Sequence, residues 1–238
     1  MLRRAASAAM SLWSRGDVLK TLPITLGQAR FAGVCYLIII LCGIGSEFAL
    51  RGPLIDLGSA EATARAIGTE TMRFRLSILA DVVMAVADAA LAILLFLMFR
   101  AVSAGLALSA LVFRLLQSGL IAAGLLNLQA ALLVTDADLA LSFITLHAYG
   151  YDLGLIFFAV NCLLTAQLIL RSGFVPHVVG LGIGLSGLVY LTGSVLRFAA
   201  PELHGFVAPI YLVPLVAETA FCLWLLILPG QARSVSAA

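Results

Sequence analysis

Residues 146–164 read LHAYGYDLGLIFFAVNCLL. The stretch is apolar, and at about 20 residues it is long enough to cross a hydrocarbon core as a helix. Yet it carries His147, Tyr151, Asp152 and Asn161. A soluble core helix would show one apolar stripe, whereas this segment is apolar on most of its circumference. Its polar groups therefore have to meet protein or a wet interior, because lipid offers them no partner.

The whole chain has the same character. It has 238 residues, 63% of them hydrophobic and 11% charged, with a mean hydropathy of +1.13. Soluble domains run at about 45–50% apolar and about 25% charged, so a chain of this size cannot hide the excess in one water-facing fold. A formal charge of +2 supplies no basic field for nucleic acid, and none is expected as a partner. Cys35, Cys42, Cys162 and Cys222 all fall in apolar runs, without a C-x-x-C pair. They read as buried small hydrophobes, not as a disulfide framework or zinc site.

Six spans are expected, near 31–50, 75–99, 105–133, 143–170, 177–198 and 208–228. The third and fourth are long enough to tilt or protrude. The fold class is all-α: a polytopic transmembrane bundle formed by residues 28–229. Residues 1–27 form a basic segment without the apolar h-region of a cleavable signal, and SLWSRGDVLKTL within it reads as an interfacial helix. Residues 230–238 form a short tail. The loop 51–74 is polar enough to fold as a small cap or surface helix. Lys and Arg bias places both termini in the cytoplasm: Arg3, Arg4, Arg15, Lys20, Arg30, Arg100, Arg171 and Arg233 lie on that side, against Arg51, Arg65, Arg73, Arg75 and Arg197 on the other. The location implied is the inner (plasma) membrane, with the lipid bilayer as partner. Pro214 is expected to kink the sixth span. Gly180 and Gly184, with Gly187 and Gly193 further along, read as close-packing residues of the fifth.

Ionisable groups in hydrocarbon each cost about 2.5–3.5 kcal/mol on insertion scales, so they face inward by default. Here they are Glu47, Asp81, Asp88, Arg114, His147, Asp152 and Glu218. At about 100° per residue, Asp81 and Asp88 share a face of the second span, and Arg114, Gln117 and Ser118 share a face of the third. Asp88 and Arg114 both reach mid-depth and are expected to pair. Glu47 and Arg51, four apart, are expected to pair locally. Asp152 lies about 140° around the helix from His147, which places the fourth span, polar on both flanks, at the centre of the bundle. Asp81, Asp152 and Glu218 are then left over, and an unpaired buried carboxylate takes up a proton or holds a cation. A proton, cation or small-ligand site around Asp81, His147 and Asp152 is the expectation, with Glu218 and Glu47 as further candidates. The plainer alternative is a set of structural hydrogen bonds.

Other chemistries fit poorly. G-L-S-G at 184–187 has the form of the rhomboid protease motif, but the last two spans hold no interior histidine to serve as base. His147 and His177 lie at opposite ends of their spans, against a zinc hydrolase or a bis-histidine haem. Lys20 is the one lysine and lies outside the spans, which excludes a retinal linkage, and no dinucleotide or Walker glycine loop occurs. No metal and no cofactor is expected.

RFAGVCYLIIILCGIGSEFALR, RLSILADVVMAVADAALAILLF and LHAYGYDLGLIFFAVNCLLTAQLILRSGFVPHVVGLGIGLSGLVYLTGS together resemble a bacterial family known as domain of unknown function 4386. H-x-Y-G-x-D-x-G-L-x-F-F and R-S-G-F-x-P carry most of the resemblance. It implies six apolar spans, acids at the positions of Glu47, Asp81 and Asp152, and Arg171 ahead of a helix-breaking Pro176. Phe96 stands where the resemblance implies a tyrosine. No activity is implied. The leading functional expectation is a transporter or sensor in which Asp81 and Asp152 bind or titrate and His147 tunes them. Competing classes are an intramembrane enzyme acting on a lipid-like substrate and a structural or partner-binding protein.

Overall fold

The computed structural model describes residues 23–227. The expected interfacial helix before residue 23 and the tail after residue 227 lie outside them. Among the described residues the chain is helical throughout, without a strand. The first span begins as α1, Leu26–Ile44. Thr25 caps it: its hydroxyl accepts from the Gln28 amide at 3.2 Å, and the Gln28 side chain accepts from the Thr25 amide at 2.9 Å. This reciprocal box satisfies two amides that the first turn leaves open. The span does not finish as an α-helix. Gly45–Arg51 is a π-helix, followed by a 3-10 turn, Gly52–Leu54.

The expected cap is α2, Ala60–Thr69, N-capped by Ser59. Leu54, Ile67 and Phe74 bury with Leu125, Leu128 and Ile144 beneath it. The remaining spans are α3, Thr71–Phe99; α4, Ala104–Ala131; α5, Ala137–Ser172; and α6, His177–Ala199. A short helix α7, Pro201–Val207, and a 3-10 turn, Ala208–Tyr211, lead into α8, Leu212–Ile227. Between α5 and α6 the R-S-G-F-x-P run makes the turn. Gly173 adopts φ 71°, a conformation that costs glycine nothing. The Ser172 hydroxyl accepts from the amides of Phe174 and Val175, both at 3.4 Å.

Each span packs on its neighbours in sequence, and the sixth returns to the first, so the six close a ring in the order α1, α3, α4, α5, α6, α8. This corrects the placement of the fourth span. α5 is a member of the ring, and its two polar flanks face its two neighbours, α4 and α6. Pro214 lies inside the sixth span, Pro209–Ile227, in the first turn of α8, and the span has 3-10 geometry, Ala208–Tyr211, directly ahead of it.

The core of the ring holds Tyr36, Leu91, Met98, Phe158, Ile169, Phe221 and Leu225. The outer surface is apolar, with Phe48 76% and Leu126 71% exposed. Six helical segments are long and apolar enough to cross a membrane, and the protein is a multi-pass membrane protein.

Small residues let the seams close. A Cβ on Gly187 would stand 2.9 Å from the Ala159 carbonyl oxygen and 3.1 Å from the Cys162 Cβ, and one on Gly33 would meet the Leu226 side chain at 2.7 Å. Gly187→Leu is therefore expected to lose about 1–3 kcal/mol through overpacking. Gly119→Leu, at a site with open space around it, is expected to change little. Thermal unfolding of the two variants in one detergent checks the contrast.

Candidate functional site

Three polar clusters lie inside the ring. The first is at the end covered by α2. A π-turn brings residues five apart onto one face, so Ser46 and Arg51 both turn inward, where an α-helix would separate them by about 140°. Arg51 Nη1 meets Asp81 Oδ2 at 2.6 Å, and its Nη2 meets Glu47 Oε2 at 2.8 Å. Ser46 donates a further hydrogen bond to Asp81 Oδ1. Arg51 and Asp81 are buried, whereas the Glu47 side chain is half-exposed. His147 and Tyr151 of α5 lie within reach of the charges of Arg51, Asp81 and Glu47. The His147 Nδ1 is 3.2 Å from the Gly124 carbonyl of α4. A carbonyl can only accept, so Nδ1 carries a hydrogen in this contact.

The second cluster joins α5 to α6. Asp152 is in contact with the Arg197 guanidinium and accepts from the Ser194 hydroxyl at 3.2 Å. Arg197 also lies over the Tyr149 ring, 5.8 Å from its centroid. Tyr211, just ahead of α8, sits beside Ser194 and Asp152.

The third cluster is at mid-depth, and every span contributes to it. Arg114 of α4 reaches Asp88 of α3 through Nε at 2.8 Å and Nη2 at 2.6 Å, both to Oδ1. Its guanidinium lies 5.5 Å from the Tyr36 ring of α1 and 5.0 Å from the Phe158 ring of α5. Tyr190 of α6 donates to Glu218 Oε1 of α8 at 2.6 Å. Asp88 Oδ2 and Gln117 Oε1 are buried there without a hydrogen-bond partner.

A profile of the family described as a domain of unknown function, DUF4386, matches residues 31–228. The chain belongs to this family. Comparison with curated proteins and with solved structures finds no match. In this DUF4386 chain a cavity of about 10 Å³ adjoins the third cluster, lined by Arg114, Asn161 and Thr165 with Phe96, Ala107 and Leu168. That is about the space of one water molecule. Phe96 forms part of its apolar wall.

The sequence-based charge count needs correction at two positions. Asp81 and Asp152 are not left over: Arg51 and Arg197 neutralise them. Both arginines stand at span ends and look like loop cations, but their long side chains reach back into the bundle. His147 faces the α4 side of α5, with the Asp81 cluster, while Asp152 is held on the α6 side. Tyr36, Ser46 and Tyr190 join the polar interior without having been singled out. For the tyrosines the sequence carries no signal, because an aromatic in a span reads equally well as core.

Proposed function

We propose that the protein binds a proton, a cation or a small polar ligand in its interior and works as a transporter or sensor, with both termini on the cytoplasmic side of the plasma membrane. One observation carries this reading. Arg51, Asp81, Asp88, Arg114, His147, Asp152 and Glu218 are all buried in a chain otherwise built for lipid. Replacing a buried ion pair by packed hydrophobic residues is commonly neutral or stabilising by about 1–4 kcal/mol. Packing alone therefore gives no reason to keep so many ionisable groups, whereas binding a small charged species does.

An enzyme acting on a lipid-like substrate has less support. A groove of about 580 Å³ runs between α3 and α4, lined by Val82, Val86, Leu115, Ala122 and Leu126. The Ser118 hydroxyl on its wall already donates to the Ala85 carbonyl at 2.9 Å, and the groove presents no acid or base.

Proton and cation flux into proteoliposomes tests the reading. Wild-type protein is expected to conduct or exchange, and Asp81→Asn and Asp152→Asn are each expected to reduce flux at least tenfold. Absence of wild-type flux for every ion tried, with the protein folded, removes the transport form of the proposal. Ligand-induced stabilisation then decides between sensor and scaffold.

A further inference from the structure

Three of the four buried acids in the described spans have an arginine each: Asp81 with Arg51, Asp88 with Arg114, and Asp152 with Arg197. Glu218 is the fourth, and its partners are neutral hydroxyls: Tyr190 donates to it at 2.6 Å, and Tyr36 is a second hydrogen-bond partner. The titratable or charged groups near enough to act on it are Tyr36 from α1, Asp88 from α3, Arg114 from α4, Tyr151 and Cys162 from α5, and Tyr190 from α6. Arg114 is the one cation among them, and it already holds Asp88 at 2.6 Å.

The mid-depth cluster thus sets two carboxyl groups around one guanidinium, and Tyr36 and Phe158 close over that guanidinium. With both carboxyls ionised, the site would carry a net negative charge at a buried position, where bulk solvent screens it little. Coulomb energies there exceed their values in water many-fold. One proton restores neutrality. A carboxylic acid also suits the geometry, because it can accept from one hydroxyl and donate to another group. Asp88 Oδ2, in the same mid-depth cluster, is buried with no hydrogen bond of its own.

We propose that Glu218 is the proton-binding site of this protein. Its carboxyl takes up and releases one proton, held between the Tyr190 hydroxyl and the neighbourhood of the Asp88–Arg114 pair. The ligand is the proton itself, because one proton makes the site neutral and, among the described residues, no group of three or more His, Cys, Asp or Glu side chains gathers to hold a metal ion. This deepens the functional reading above and rests on it only for the use made of the proton.

Infrared difference spectroscopy tests the site without any flux measurement. Protein in lipid nanodiscs is equilibrated at about pH 6.5 and about pH 10, both above the range in which exposed carboxyls titrate, and the C=O stretch of protonated carboxyl groups is compared. Wild type is expected to show one such band that disappears on alkalinisation. Glu218→Gln is expected to lack it. Tyr190→Phe is expected to keep it at a shifted frequency, because one of its two hydroxyl partners is gone. A wild type without the band, a band that survives Glu218→Gln, or a band unmoved in Tyr190→Phe overturns the proposal. The last comparison remains decisive if Glu218→Gln fails to fold. A titrating Glu218 band in a protein without flux sinks transport and leaves the proton site standing. Flux without the band does the reverse.

Discussion

Arg114→Gln is expected to cost the protein about 3–5 kcal/mol, the usual penalty for stranding one partner of a buried pair. The loss falls at the upper end because Asp88 is buried with Arg114 as its ion-pair partner and has no other hydrogen bond through Oδ2. Tyr36 and Phe158 lose a cation between their rings as well. Arg114→Lys keeps the charge but neither the planar stack nor the two-nitrogen grip on Asp88, so it is expected to recover only part of the loss. The double variant Arg114→Met with Asp88→Leu is expected to be more stable than Arg114→Gln, because it leaves no orphaned charge at Asp88. Unfolding in mixed micelles of rising denaturing-detergent content measures all three. A double variant no better than the single would show that the ion pair is not what holds α3 to α4.

Arg51→Gln is the second large expected effect, about 3 kcal/mol or more, because Asp81 is buried against that guanidinium and cannot reach water. Asp81→Asn in the same chain is expected to restore much of the loss. Glu47→Gln is expected to cost less than about 1 kcal/mol, since its side chain is half-exposed and exposed pairs are worth little. A double-mutant cycle over Arg51 and Asp81 should give a coupling of about 1–3 kcal/mol. Simple additivity would mean that the π-turn brings the two together without energetic consequence.

What the sequence made legible followed from periodicity and depth. Apolar runs of membrane length locate the six spans, and α-helical spacing puts Asp88 and Arg114 at one depth on faces that meet. Glu47 and Arg51 pair at their i, i+4 spacing. The same spacing rule hides the other half of that site. Only a π-turn carries Arg51 to Asp81, and the seven residues of the first span that form it contain no proline, the nearest being Pro53 in the 3-10 turn that follows. Arg197 was hidden for a different reason: its Cα lies near a span end, but its side chain reaches Asp152. The roughly 140° between His147 and Asp152 puts polar groups on two flanks of α5, and two flanks can face two ring neighbours as well as a surrounding bundle. The tyrosine beside Glu218 depends on tertiary packing between α6 and α8, which no local pattern encodes.

The closed ring also bears on biogenesis. Spans leave the ribosome in order, and the seam between the first and last can seal only when the last has been delivered. By then the five earlier spans already contain Arg51, Arg114 and Arg197 with Asp81, Asp88 and Asp152, so their ion pairs can form during insertion. The final segment brings the fourth acid into an interior whose charges are already matched. A segment carrying Glu218 in its acid form enters lipid more cheaply than one carrying a carboxylate, and it then slides its Leu226 side chain over Gly33. The glycine on the first span and the glutamate on the last are in that sense two parts of one assembly step, made at opposite ends of translation.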